Sequence, residues 1–103
     1  MSYEVRLSRA ADKDFGDLPT AVQRQVLKCL ERLAENPRPP KCKPLREQQL
    51  KGSYRVHVGP DHCIGYDIDD RAQVVEVWQI GKRDRFYDVA KRRRSRLGDG
   101  FEG

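Results

Sequence analysis

Two short stretches hold the residue types that chemistry would need. In Tyr54-Arg55-Val56-His57-Val58, alternation places Arg55 and His57 on one side of an extended strand and the three apolar residues on the other. A permanent cation and an imidazole therefore stand side by side. Imidazole has a reference pKa of about 6.5, so it can take or give a proton near neutrality. In Gly81-Lys82-Arg83-Asp84-Arg85-Phe86-Tyr87, a glycine permits a sharp exit from a strand, and cations and a phenol follow. Cations at a helix start oppose its dipole, and that unfavourable placement points to use. Both stretches also have ordinary explanations. An antiparallel sheet commonly has one solvated face where basic residues sit, and a basic helix start can simply be solvated.

The charge of the whole chain bears on these stretches. Its 103 residues carry 21 Lys plus Arg against 16 Asp plus Glu, a net charge of +5. Residues 82–96 hold 8 basic and 2 acidic residues, leaving 13 and 14 for everything else. A concentrated basic patch suits phosphate backbones or an acidic protein partner, while a solvated tail is the commoner explanation of charge runs. The length fits a single domain, expected over residues 1–97, with 98–103 a frayed C-terminal tail. No apolar run approaches the roughly 18 residues that cross a bilayer, and no secretory signal opens the chain, so a soluble cytoplasmic protein with no membrane partner is expected. Cys29, Cys42 and Cys63 cannot all pair with one another, and none lies in a C-x-x-C. That argues against a disulfide framework and against a zinc site with His57 and His62, and no metal or cofactor is expected. Cys29 falls on an apolar helix face and reads as a core residue.

The elements that must position Arg55, His57 and Arg83 follow from periodicity. Tyr3, Val5 and Leu7 form an N-terminal strand. Ser8 caps a helix whose apolar face is Ala11, Phe15 and Leu18, with Asp12, Asp14 and Asp17 turned outward. Thr20 with Gln23 fits a capping box for a second helix, with Val22, Val26, Cys29, Leu30 and Leu33 at helical spacing until Asn36-Pro37 stops it. Residues 36–44, with four prolines, read as a surface loop. The period then becomes two. Residues 54–58 and 63–68 form a hairpin about Gly59-Pro60-Asp61, and Asp69-Asp70-Arg71 turns the chain into a strand apolar on both parities from Val74 to Ile80. The expected fold is α+β: an N-terminal strand, a helical hairpin, a three-stranded antiparallel meander and a C-terminal helix, with the helices packed on one sheet face.

With these residues in order, the chain resembles the RelE/ParE superfamily of bacterial and archaeal type II toxins. The resemblance rests on the 54–58 stretch, the Gly59 turn, Ile64-Gly65-Tyr66-Asp67-Ile68 with its Asp pair, and Ile80-Gly81-Lys82-Arg83 followed by Tyr87. It covers nearly the whole chain, including the aromatic N-terminal strand, the hairpin ending in Asn-Pro and the Leu50 to Gly52 lead into the sheet. In the RelE branch it implies a ribosome-dependent mRNA endoribonuclease that needs no metal. There a ribose 2′-hydroxyl attacks the adjacent phosphate, leaving a 2′,3′-cyclic phosphate and a 5′-hydroxyl. By position the resemblance assigns Arg55, His57, Arg83 and Tyr87 to catalysis; Lys51, Lys82, Arg85, Lys91 and Arg92 are expected to add RNA contacts through their charge. A guanidinium grips two phosphate oxygens and keeps its charge; a phenol can stack on a base or donate a hydrogen bond.

One position departs from the pattern. Asp61-His62-Cys63 precedes Ile64 where ribosome-dependent members often carry Gly-Tyr-Arg or Asp-Tyr-Arg, so Cys63 stands in the place of an arginine. His62, beside a turn, reads as a surface histidine. Three functions stay open: an mRNA interferase, favoured by the four site residues together; a ParE-like gyrase inhibitor, which would not need His57 and Tyr87; and a folded homologue without toxicity. The implied partners are a RelB-like antitoxin, held in a higher hetero-oligomer, the ribosome and mRNA.

Overall fold

The switch from helical to two-residue apolar spacing after Pro44 marks where a helical layer gives way to a sheet. The computed structural model describes residues 2–102, with side chains through residue 94. Its elements run β1 (Glu4–Leu7), α1 (Arg9–Gly16), α2 (Thr20–Glu35), β2 (Lys43–Pro44), a 3-10 turn (Gln48–Leu50), β3 (Ser53–Val58), β4 (His62–Asp69), β5 (Val74–Lys82), a second 3-10 turn (Arg83–Arg85) and α3 (Phe86–Glu102). The tail expected over 98–103 lies outside the fully described residues. No described helix is long and apolar enough to cross a membrane.

The sheet has five strands in the order β1-β5-β4-β3-β2. The meander β3-β4-β5 is antiparallel as its alternation requires, whereas β1 runs parallel to β5, with Leu7 opposite Val77. The helical hairpin supplies the return crossing that a parallel neighbour needs. The proline-rich segment was expected to be loop throughout, but its end adds β2, where Lys43 and Pro44 pair with Arg55 and Tyr54. A proline is tolerated there because β2 is an edge strand.

Helices cover both faces, not one. The hairpin face buries Ala11, Val26, Leu30 and Leu33 against Val56, Val58, Ile64, Tyr66, Val75, Val77 and Ile80. On the opposite face α3 buries Phe86 and Ala90 against Leu45, Leu50, Cys63 and Trp78. A strand apolar on both parities must be covered on both sides, and α3 is the cover. Each fully buried side chain of this size contributes about 1.5–3 kcal/mol. The Gly65 and Gln79 pair is followed by Tyr66 with Val77, which leaves Trp78 as an extra residue in β5. This bulge brings Trp78 into the α3 cluster.

Ser8 caps α1 as expected, its Oγ accepting from the Ala11 N–H at 3.1 Å. The capping box at Thr20 does not form. Pro19 occupies the N-cap with φ −58°, and the Gln23 side chain instead donates to the Phe15 carbonyl at 2.9 Å, closing the hairpin turn. Asp14 does not turn outward either. It accepts from the Ile80 N–H at 3.0 Å and from Arg93 at 2.7 and 2.9 Å, tying α1, β5 and α3 together.

Candidate functional site

The β3 pleat carries Arg55 and His57 on the α3 side of the sheet, opposite the buried Val56 and Val58. Their side chains are in contact: an Arg55 Nη1–H donates to His57 Nε2. A guanidinium has no acceptor to offer, so this contact suits a neutral imidazole whose Nε2 receives and whose proton sits on Nδ1. The surroundings enforce that state. Partial burial, followed by the positive charges of Arg55, Arg83 and Lys43, holds the His57 pKa below its ordinary 6.5.

Phe86 and Tyr87 hold Arg55 from the other side. The Arg55 guanidinium lies over the Tyr87 ring, 5.7 Å from its centroid, and Tyr87 meets Phe86 edge-on with centroids 5.7 Å apart. Phe86 is buried against Trp78, and both rings press on Gly65 of β4. A Cβ at Gly65 would sit 2.8 Å from Phe86 Cζ and 3.0 Å from Trp78 Cζ2, so the glycine is what admits the rings. Packing therefore runs from Gly65 through Phe86 and Tyr87 to Arg55 and His57. Arg55 and Tyr87 face a hollow of about 510 Å³ shared with Lys43, Pro44, Arg46 and Glu47.

Arg83 opens the 3-10 turn between β5 and α3, fixed by its N–H donating to the Asp61 carbonyl at 2.7 Å. Its charge is felt at both His57 and Cys63. It also lines a second hollow of about 500 Å³ with His62, Lys82, Asp61 and Asp84. Cys63 lies within reach of these cations: it pairs with His57 across β3 and β4 and is buried, and the charges of Arg55 and Arg83 act on its thiol. Burial pushes the Cys63 thiol pKa up, while Arg55 and Arg83 oppose that rise.

The structure thus brings Arg55, His57 and Tyr87 into contact, while Arg83 lies within electrostatic reach of His57 but lines a separate hollow. Of the expected RNA contacts, Lys82 and Arg85 are exposed beside the turn at Arg83, Lys51 is exposed ahead of β3, and Lys91 and Arg92 are exposed on α3. Their basic neighbours are not free. Arg93 pairs with Asp14, and Arg94 pairs with Asp67 at 2.8 Å, donates to Ser53 Oγ at 3.1 Å and covers the Trp78 ring at 4.6 Å. Lys43 and Arg46 went unnoticed in the sequence. Only the pairing of β2 with Arg55 brings Lys43 in, and the prolines around it hide that strand. Among the described residues, no group of three His, Cys, Asp or Glu side chains could hold a metal ion.

Comparison with known proteins follows the same outline. Residues 5–87 match the family model for the ParE toxin of type II toxin-antitoxin systems, parDE. An Escherichia coli RelE-like toxin protein is 30% identical over 96 residues, spanning 90% of this chain and 98% of that protein. The RelBE2 toxin-antitoxin complex from Mycobacterium tuberculosis contains a chain that superposes with a TM-score of 0.72 at 26% identity, covering 81% of this chain and 100% of that one. The isolated E. coli RelE toxin gives 0.68 at 26% identity, covering 89% and 98%.

Proposed function

The chain belongs to the RelE/ParE superfamily of type II toxin-antitoxin toxins, and from that membership we propose that it is an mRNA endoribonuclease of the RelE type. The observation that carries this reading is the contact of His57 with Arg55, within the field of Arg83. Cleavage by an internal 2′-hydroxyl needs a base for that hydroxyl, cations for the pentavalent phosphate and a proton for the departing 5′-oxygen.

In this reading His57 acts as the base. The cations that the phosphate requires also lower its pKa and so favour the unprotonated form that a base needs. Arg55 and Arg83 hold the non-bridging oxygens, and charge growing on them in the transition state meets guanidiniums already in place. As the phosphate accepts the Arg55 N–H groups, His57 Nε2 is released from Arg55 to receive the 2′-hydroxyl proton. The His57 imidazolium then supplies a proton to the 5′-oxygen, so protons balance over the step. Tyr87, with the Arg55 guanidinium over one face of its ring, offers the ring for a base to stack on. Lys51, Lys82, Arg85, Lys91 and Arg92 extend the positive surface along which RNA and the ribosome are held.

The partner in this reading is a RelB-type antitoxin that keeps the toxin inactive, supported by the likeness to a chain taken from a toxin-antitoxin complex. A second reading, gyrase inhibition, is favoured by the match to the ParE family model. Mapping transcript 5′ ends after induction, with a gyrase supercoiling assay alongside, separates the two. In-frame cuts confined to translated messages are expected. Inhibited supercoiling with intact messages would overturn the RNase reading.

A further inference from the structure

Glu47 is the one carboxylate among the described residues that line the hollow of about 510 Å³ beside Arg55 and Tyr87. It does none of the local work expected of it. It heads the 3-10 turn Gln48–Leu50, yet its side chain makes no capping hydrogen bond. Lys43, Arg46 and Arg55 line the same hollow, yet Glu47 forms no ion pair with any of them. Its place is nevertheless fixed. Leu45 and Leu50, on either side of it, are buried in the cluster beneath α3. The Leu45 N–H donates to the Ser53 carbonyl at 2.9 Å, and the Glu47 carbonyl accepts from the Leu50 N–H at 2.9 Å. Lys43 and Arg46 are exposed, and Lys43, opposite Arg55 in register, stands on the same sheet face.

An unpaired carboxylate in a cationic hollow selects its occupant. A bare phosphate chain would meet three cations and be repelled by Glu47. A nucleotide answers every group: its phosphate takes Lys43, Arg46 and Arg55, its base lies on the Tyr87 ring, and the edge of the base offers N–H donors to the carboxylate. The bases differ at that edge. Guanine presents its ring N1–H and its exocyclic amine side by side, one for each carboxylate oxygen. Adenine and cytosine set a ring-nitrogen lone pair beside the amine, and uracil flanks its single N–H with two carbonyls, so each turns an acceptor towards the second oxygen. We propose that this hollow is a nucleotide subsite in which Glu47 selects guanine. The inference rests on the RNase reading given above, and it adds which base the site takes and which side chain reads it.

The test measures binding of the full chain, by fluorescence anisotropy, to uridine-rich 2′-O-methyl oligoribonucleotides that differ only in one central base: guanine, hypoxanthine, adenine, cytosine or uracil. Methylation removes the attacking hydroxyl, so binding is read without cleavage. The parent should prefer guanine by about fivefold or more, over hypoxanthine as well, which lacks the exocyclic amine. In Glu47→Ala that preference should vanish. In Glu47→Gln it should pass to adenine, because an amide oxygen and NH₂ match the amine and its neighbouring acceptor. The same ranking of bases in the parent and both variants would overturn the proposal, as would an equal change for all five probes or a parent that binds none of them. Mapping of transcript ends keeps the two readings apart. Cuts whose flanking bases are the same for the parent and Glu47→Ala would sink the guanine inference alone, whereas guanine-selective binding with intact transcripts would sink the RNase reading alone.

Discussion

Gly65→Ala should damage both stability and site geometry, because the rings that press on Gly65 also hold the catalytic candidates. The added methyl would lie 2.8 Å from Phe86 Cζ and 3.0 Å from Trp78 Cζ2, closer than carbon atoms pack. Neither ring can swing aside without displacing its neighbours, since Phe86 is 1% and Trp78 4% exposed. Overpacking of this kind costs about 1–3 kcal/mol. For a domain of this size, that lowers the melting temperature by at least about 4 °C. Relief requires Phe86 to move, and Tyr87 and Arg55 move with it. A shift of about 1 Å in such a group can cost on the order of 10²-fold in rate. The assay pairs thermal unfolding with a cleavage or growth-arrest measurement, using Gly16→Ala as the control because a Cβ there meets nothing within 4 Å. Combining Gly65→Ala with Phe86→Leu should cost less than the two changes summed, by about 0.5 kcal/mol or more. The packing argument fails if Gly65→Ala unfolds within about 0.5 kcal/mol of the parent, a shift typical of a surface change away from such contacts.

Three further outcomes follow from the same geometry. Arg83→Ala should abolish growth arrest while changing stability by no more than about 0.5 kcal/mol, since the side chain is exposed and the Asp61 contact is made by the backbone; full toxicity at equal expression would remove Arg83 from the catalytic set. In an NMR titration His57 should titrate below 6.5 and move upward in Arg83→Ala and Lys43→Ala. Because the folded value is the lowered one, its contribution to stability is complete above pH 6.5 and is lost as pH falls through that lower value; an imidazole titrating above 6.5 would contradict this. Asp14→Ala should cost about 2–3 kcal/mol in denaturant unfolding, because it leaves the Ile80 N–H and the Arg93 guanidinium without their acceptor, and a loss under about 0.5 kcal/mol would show that α3 is anchored elsewhere.

Alternation and helical spacing made much of this architecture legible. Arg55 with His57 against Val56 and Val58 fixed the polar side of β3, and Asn36-Pro37 ended α2 at Glu35 as expected. What escaped depends on contacts between residues far apart in the chain. That β1 would lie parallel to β5 cannot be read from Tyr3, Val5 and Leu7, because both edges of a meander accept such a strand. The apolar character of β5 on both parities did imply cover on two faces, and following it through would have put α3 opposite the hairpin. Lys43 was hidden by the prolines around it. The Trp78 bulge was hidden because an apolar run gives no sign of where one residue is extra.

The basic C-terminal segment does two jobs that composition alone merges into one. Lys82, Arg83 and Arg85 sit at the entry to α3, where each cation opposes the helix dipole by about 0.3–1 kcal/mol. Asp84 in that turn and Asp88 in the first turn of α3 offset part of this penalty. The remainder is opposed further along the helix, where Phe86 and Ala90 are buried and Arg93 and Arg94 are tied to Asp14 and Asp67. Arginines about two to three turns apart are thus used in opposite ways, two neutralised by carboxylates to hold the helix down and Arg83 and Arg85 left exposed. Were the segment only a solubilising tail, nothing would favour pairing Arg93 and Arg94 so fully while Arg83 and Arg85 stay uncommitted at the helix end where positive charge is least welcome. That division suits the proposed phosphate-binding surface: charge concentrated where an anion can take the place of carboxylates, and a scaffold stable enough to tolerate the repulsion until the anion arrives.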